Sequence, residues 1–260
     1  MAWATITLHG DLTDFLPRRQ RSAEVRRRFA GRPAAKDLLE ALGVPHPEIA
    51  AITINGTPAG LDRPLHDGDR VEAWAAAEAA RAGLVPVLPA APDDSADPRF
   101  VVDAHLGRLA AYLRMLGFDT WYRNDAEDTQ LAAIAATERR ILLTRDRGLL
   151  KRSIVRRGAF LRSDRPVEQL VEVTRRFGLV DRWRPFGRCI RCNTLLVPAA
   201  RAEVLHQLQP LTRVYYDDFH RCPGCDAIYW EGSHHARMAR LIAEVRATVE
   251  RPTAPESEVR

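Results

Sequence analysis

The sequence predicts an α/β domain with a parallel sheet and a C-terminal zinc ribbon, preceded by a small α+β module. Three observations predict it. Between residues 99 and 181, strand-like and helix-like stretches alternate four times, the pattern of a parallel sheet covered on both faces. Two Cys-x2-Cys pairs follow, 29 residues apart. Ahead of both, residues 1–75 read as strand, helix, strand, turn and strand, a different order. The composition, 46% hydrophobic and 28% charged, excludes a disordered or fibrous chain. No run approaches the roughly 18 apolar residues of a membrane-spanning helix. Met1–Leu16 lacks a basic segment followed by an apolar core, so no secretory signal is expected. The expected location is the cytoplasm, where reduced cysteines serve as metal ligands rather than disulfides.

The elements can be justified in chain order. Trp3–Leu8 alternates as a strand does, Ala35–Leu42 reads as a helix closed by Gly43, and Ile49–Ile54 is a strand leading into Asn55-Gly56. Asp67-Gly68-Asp69 turns the chain into a last short strand, Arg70–Trp74, and His46 between two prolines reads as a loop residue. Residues 76–98, rich in Ala and Pro, read as a linker, with a helix possible over Ala75–Ala82. The domain at 99–181 then offers strands at Phe100–Val102, Phe118–Tyr122, Ile141–Thr144 and Ala159–Arg162. Between and after them come an apolar-faced helix through Leu106, Leu109, Leu113 and Leu116, then helices at Asp128–Glu138, Arg147–Arg157 and Val167–Phe177. Residues 182–250 carry the cysteines and end in a helix capped by Ser233, with a stripe from Met238 to Val249; 251–260 is a tail.

Charge is uneven along the chain. Residues 1–97 hold 11 basic against 14 acidic residues, 98–180 hold 16 against 10, and 181–260 hold 12 against 10. All basic residues but Lys36 and Lys151 are Arg, whose fork grips phosphate bidentately. The middle of the chain is therefore the part suited to a phosphate-bearing partner.

In an open parallel sheet, ligands bind where the loops leave the C-terminal ends of the strands. Each predicted strand of the middle domain runs into a carboxylate: Asp103 after the first, Asp125, Glu127 and Asp128 after the second, Asp146 after the third, Asp164 after the fourth. Any one alone reads as a helix cap. Together they would repel unless a proton or a divalent cation neutralises them, and an all-oxygen set suits Mg2+ or Mn2+. An aspartyl phosphotransferase wants Asp-x-Asp, which Asp103-Ala104-His105 does not supply, and a receiver domain wants an acidic pair before Asp103. A metal-dependent nuclease fits, with Arg108, Arg145, Arg147, Arg152 and Arg156 as candidate contacts to RNA phosphates.

Cys189, Cys192, Cys222 and Cys225 have the spacing of a closed tetrahedral Zn2+ site that leaves no position for substrate. His220, His234 and His235 lie beside them and read as surface or RNA-contact residues. Tyr215, Tyr216, Phe219, Tyr229 and Trp230 read mainly as the filling of a small ribbon, with base stacking as the alternative.

The segments FVVDAHLGRLAAYLRMLGFDT, DAEDTQL and ILLTRDRGLL, with FGRCIRCNTLL and FHRCPGCDAIYWEGSHHARM, resemble the Mut-seven C-terminal RNase domain, a branch of the PIN-like nucleases. The resemblance implies a PIN-like fold at 99–181 with a zinc ribbon at 182–250. It implies metal-binding acids at Asp103, Asp128 and Asp146, with Asp164 as a fourth and Glu127 as the alternative to Asp128. LHGDLTDFL, ALGVPHPEI, INGTPAG and LHDGDRVEAW resemble a ubiquitin-like β-grasp module of the kind fused to this RNase domain. That module ends in Ala75-Ala76-Ala77 and not in a free Gly-Gly, so it implies a protein partner rather than sulfur-carrier chemistry. The expected activity is a ribonuclease with a catalytic Mg2+ or Mn2+ and a structural Zn2+. The alternative is an RNA-binding zinc-ribbon adaptor with weak or no nuclease activity. Residues 1–97 supply none of the site acids, so a chain beginning near Asp97 is expected to keep the cleavage chemistry.

Overall fold

The computed structural model describes residues 1–21, 24–87 and 97–251. Residues 88–96 of the expected linker lie outside the described residues, as does the expected tail except Arg251. In chain order the elements are β1 (Ala2–His9), β2 (Val25–Phe29), α1 (Ala35–Ala41), β3 (Ala51–Ile54), β4 (Thr57–Ala59), β5 (Arg70–Trp74) and α2 (Ala76–Arg81). Next come β6 (Phe100–Val102), α3 (Gly107–Met115), β7 (Thr120–Trp121), α4 (Asp128–Thr137), β8 (Ile141–Thr144), α5 (Arg147–Leu150), β9 (Gly158–Phe160) and α6 (Pro166–Arg176). The last are β10 (Val197–Ala199), α7 (Arg201–Val204), α8 (Pro210–Tyr215), β11 (Phe219–Arg221), β12 (Ile228–Tyr229) and α9 (Ser233–Glu250). The chain forms two compact units: residues 1–96 with 126–160, and residues 97–125 with 161–260.

The first unit holds the N-terminal β-grasp sheet, ordered β2-β1-β5-β3-β4, with β1 and β5 parallel and the other neighbours antiparallel. Alternation along β1 sends Ala4, Ile6 and Leu8 inward, where Leu38 and Leu39 of α1 meet them with Ile52 and Val71. Two strands are additional to the sequence reading. β2 escapes it because Arg26, Arg27 and Arg28 break any apolar alternation, and all three are exposed. β4 carries Pro58, which suits the edge it occupies.

The same unit contains α4, the parallel pair β8–β9, and α5. The expected helix Arg147–Arg157 ends at Leu150. The chain then turns so that Val155 is fully buried and its carbonyl faces the N-terminal module. His46, read as a loop residue in the sequence, is 5% exposed and meets that carbonyl. Its Nε2 lies 2.6 Å from the Val155 oxygen and its Nδ1 2.7 Å from Glu40 Oε1. Both ring nitrogens thus have a partner within hydrogen-bond distance, one on each side of the ring. Lys151 Nζ donates to the Glu40 carbonyl at 2.6 Å, and the buried Glu48 carboxylate accepts from Phe160 N at 2.7 Å. The Phe15 and Phe160 rings meet edge-on at 5.5 Å, and the Arg147 guanidinium sits over both. The module thus reaches residues 147–160 through charge-assisted hydrogen bonds and a shared apolar seam.

In the second unit, β6 and β7 are parallel, and α3 turns Leu109 and Leu113 into a core that also holds Phe100, Phe118 and Leu170. Gly117 ends α3 at φ +99°, and a Cβ there would stand 2.4 Å from the Arg184 carbonyl, so no other residue fits. β10, β11 and β12 form an antiparallel sheet, and α9 packs on α6. Ser233, expected as the cap of α9, is instead its first residue, with Gly232 at the cap position.

Replacing His46 by Ala leaves the Glu40 carboxylate and the Val155 carbonyl without their donor. The expected cost is about 2 kcal/mol, or a fall of about 5 °C in the midpoint of thermal unfolding. A chain beginning at Asp97 uncovers Phe160 and the Val155 carbonyl. It should bind a hydrophobic dye and unfold at lower temperature than the full chain; equal stability of the two would contradict this seam.

Candidate metal centre and acidic residues

The cysteines come together. Their sulfurs all lie within 4.8 Å of one another, with Cys189 and Cys222 buried and Cys192 and Cys225 exposed. Two copies of one backbone motif bring this about. Asn193 N donates to the Cys189 carbonyl and Cys189 N to the Thr194 carbonyl; Asp226 N donates to the Cys222 carbonyl and Cys222 N to the Ala227 carbonyl, each at 2.9 Å. The residue after each second cysteine, Asn193 or Asp226, has positive φ (+72° and +56°), which Asn and Asp tolerate best among residues with a Cβ. The turn aims both thiols of a pair at one point. The second pair sits between β11 and β12, so the ribbon sheet holds it directly.

The thiols are perturbed in opposite directions. Partial burial works to raise Cys192, but hydrogen bonds involving Thr194 and the Cys222 thiol outweigh it and lower it to about 6. Cys225 is pushed up to about 12, first by burial and then by the neighbouring thiols. Four such sulfurs cannot all ionise side by side unless a cation takes up their charge, and a sulfur-only tetrahedral set suits Zn2+. The donor set therefore fits a structural zinc.

Arg114 and Asn193, which the sequence reading missed, tie this cluster to the rest of the second unit, and Tyr229, read there as ribbon filling, adjoins it. Arg114, on α3 and 5% exposed, donates through Nη1 to the Ile190 and Arg191 carbonyls between the first two cysteines, and through Nε to the Thr120 carbonyl. Burial lowers its pKa from the ordinary value, while Cys189 and Cys192 act to keep it charged. Asn193 accepts from Thr120 N at 3.0 Å and donates to Asp119 at 2.8 Å. Tyr229 places its hydroxyl 3.1 Å from Cys189 Sγ. The Asn after the Cys-x2-Cys pair was a usable signal; Arg114, among the leucines of α3, gave none.

The acids lie on separate elements, two in each unit. In the second unit Asp103 follows β6 directly, is 8% exposed, and accepts from His105 N at 3.3 Å as the cap of a short 3-10 turn. Asp164 is exposed, two residues ahead of α6, and does not occupy its cap position. In the first unit Asp146 caps α5, its Oδ1 2.6 Å from Gly148 N, while its own N–H donates to Thr144 Oγ1 at 2.9 Å. Asp128 is the exposed first residue of α4, and Glu127 occupies the cap position without a capping bond. Asp125 is neutralised: Arg123 grips both its oxygens, at 3.0 and 2.8 Å, and holds its carboxyl below the usual range. Capping thus accounts for Asp103 and Asp146 and not for Asp128 or Asp164.

Among known families, the Mut7-C RNAse domain matches residues 98–242, and Mut7-C ubiquitin matches residues 1–81. No curated protein and no solved structure matches the chain.

Cys222→Ser removes one of four thiolates from the buried side of the cluster. Bound zinc, measured by elemental analysis, should fall from about one per chain to near zero, because a structural site draws about 10 kcal/mol or more from its full ligand set. Arg114→Met strips three carbonyls of their donor and should cost about 3 kcal/mol in unfolding free energy while loosening zinc retention. A full-length protein purified without chelators that carried no zinc would contradict both.

Proposed function

Because the chain belongs to the Mut7-C RNAse domain family and carries a Mut7-C ubiquitin module ahead of that domain, we propose that it is a metal-dependent ribonuclease hydrolysing RNA phosphodiester bonds. One observation supports this beyond the family: each strand of the two parallel pairs, β6–β7 and β8–β9, runs into a carboxylate beyond its C-terminal end. Such ends are where α/β folds bind ligands. Asp103, Asp128 and Asp146 are the proposed oxygen donors for a catalytic Mg2+ or Mn2+, with Asp164 as a fourth and Glu127 able to replace Asp128. A bound divalent cation would supply charge neutralisation at the phosphate and an activated water.

The chain's own residues prepare that site. The Thr144 hydroxyl and the Gly148 amide fix the turn that carries Asp146, leaving its second oxygen for a ligand. Burial of Asp103 strengthens its attraction for a cation relative to an exposed carboxylate. Arg108, Arg145, Arg152 and Arg156 are the proposed contacts to flanking phosphates. Arg147, expected among them, directs its guanidinium to the Phe15 and Phe160 rings and the Phe15 carbonyl. The β-grasp module has no reactive terminus, since β5 continues into α2, and its proposed role is to engage a protein partner. No described helix is long and apolar enough to cross a membrane, and the thiol cluster suits the reducing cytoplasm.

The second reading is an RNA-binding adaptor without strong cleavage, favoured by the capping that already occupies Asp103 and Asp146. Asp146→Asn separates the two. Asn caps almost as well as Asp but cannot hold a cation by charge. Cleavage of labelled single-stranded RNA in Mg2+ or Mn2+ should fall at least about 100-fold, while RNA binding and its salt dependence persist. Near-normal turnover by Asp146→Asn would reject the metal assignment, and absence of divalent-dependent cleavage by the parent would favour the adaptor.

A further inference from the structure

A cavity of about 430 Å³ opens beside the zinc ribbon, wholly within the second unit. Its size falls in the range of small-ligand sites. Phe186, Tyr229 and Trp230 line it, together with Met115 and Ile190. Phe186 has φ +62°, a conformation that bulky L-residues rarely adopt. The backbone enforces it: Phe186 N donates to the Met115 carbonyl at 2.9 Å, and Leu196 N to the Gly187 carbonyl at 3.0 Å. The outcome is a ring held against His235, centroids 4.1 Å apart, at the cavity wall. Strain kept at a cavity wall by its surroundings marks a position whose orientation matters.

The polar lining selects the ligand. Asp218, His220 and Glu231 are exposed and line the same cavity. Two carboxylates repel phosphate and accept N–H donors. Arg188, the one arginine there, donates through Nε and Nη1 to the Gly117 and Asn193 carbonyls at 3.0 and 2.9 Å, which ties part of its fork to the protein. Aromatic walls and two carboxylate N–H acceptors against a single, partly engaged arginine suit a base better than a phosphate backbone. We propose that this cavity is a base-binding subsite, taking one unstacked nucleobase with an exocyclic amino group from a single-stranded RNA. The base lies against the Phe186 and Trp230 rings and directs its amino group to Asp218 or Glu231. This deepens the ribonuclease reading and rests on RNA being the ligand. The arginine-rich elements grip phosphates without regard to sequence, and the cavity adds a preference for cytosine, adenine or guanine over uracil.

Binding of labelled pentacytidylate and pentauridylate to the full-length, zinc-loaded protein tests this without added Mg2+ or Mn2+. The two bases differ along one edge: cytosine has an exocyclic amino group beside an acceptor nitrogen, uracil a carbonyl beside a ring N–H, so only cytosine donates from the exocyclic position. The parent should bind the cytidine strand about 10-fold or more tightly. Phe186→Leu, which removes the ring, and Met238→Trp, which fills the cavity from α9, should each bring the cytidine strand to the level of the uridine strand with zinc content unchanged. Equal binding of the two strands by the parent overturns the proposal and needs no variant to fold. So does failure to bind either strand, or unchanged discrimination in Met238→Trp. Cleavage is not read: a protein that discriminates in this way but never cuts RNA retains the subsite and loses the nuclease reading. One that cuts RNA but does not discriminate loses only the subsite.

Discussion

Four sulfurs lie within 4.8 Å of one another, and holding them together as thiolates would require a cation to take up their charge. A divalent cation would offset two of four thiolate charges, leaving the remainder to donors aimed at the cluster. Arg114 does this from a helix of the neighbouring α/β region, and its bonds to the Ile190 and Arg191 carbonyls fix the first cysteine turn in the same act. Asn193 carries the link onward to the amide of Thr120, at the start of β7. The ribbon is consequently not an appendage on a tether. It shares its electrostatics with α3, and both contribute to the lining of the cavity beside it, α3 through Met115 and the ribbon through Ile190.

The N-terminal module stands in a comparable relation to residues 147–160. Linear order suggests a detachable module followed by an Ala/Pro-rich connection, yet its buried His46 and Glu48 are spent on the backbone of Val155 and Phe160. Buried polar groups are costly unless paired, so these pairs hold one arrangement rather than many. The residue after Asp146 is Arg147, whose guanidinium rests on Phe15 of the module. The turn that presents a proposed metal ligand is therefore braced by a ring from the module. In this chain a ubiquitin-like fold contributes shape to its neighbour, whatever else it engages.

Much of this was legible in the sequence where periodicity is strong. β6, β8, α4 and α6 lie within a residue or two of their expected bounds, because unbroken apolar runs and 3.6-residue stripes leave little choice. The cysteine set was legible for a different reason, since four thiols at that spacing have few alternatives. What escaped did so because side-chain chemistry overrode pattern. β2 is a strand through its pairing with β1 despite three arginines, and α5 stops early because burial of Val155 is worth more than another helical turn. Arg114 and His46 are buried polar residues, and their partners lie 76 and 109 positions along the chain, beyond the reach of any local reading.

The arginines that hid β2 also shape what can approach it. β2 is the outer strand of its sheet, and an outer strand offers unpaired amides and carbonyls to any extended segment that comes alongside. Here such a segment, including β2 of a second copy, would have to settle among three consecutive guanidinium groups with Arg26 stacked on Trp3. Two such edges brought together repel, and an acidic strand is the kind of neighbour they would admit. The same run of residues therefore resists fibre-like self-addition at this edge.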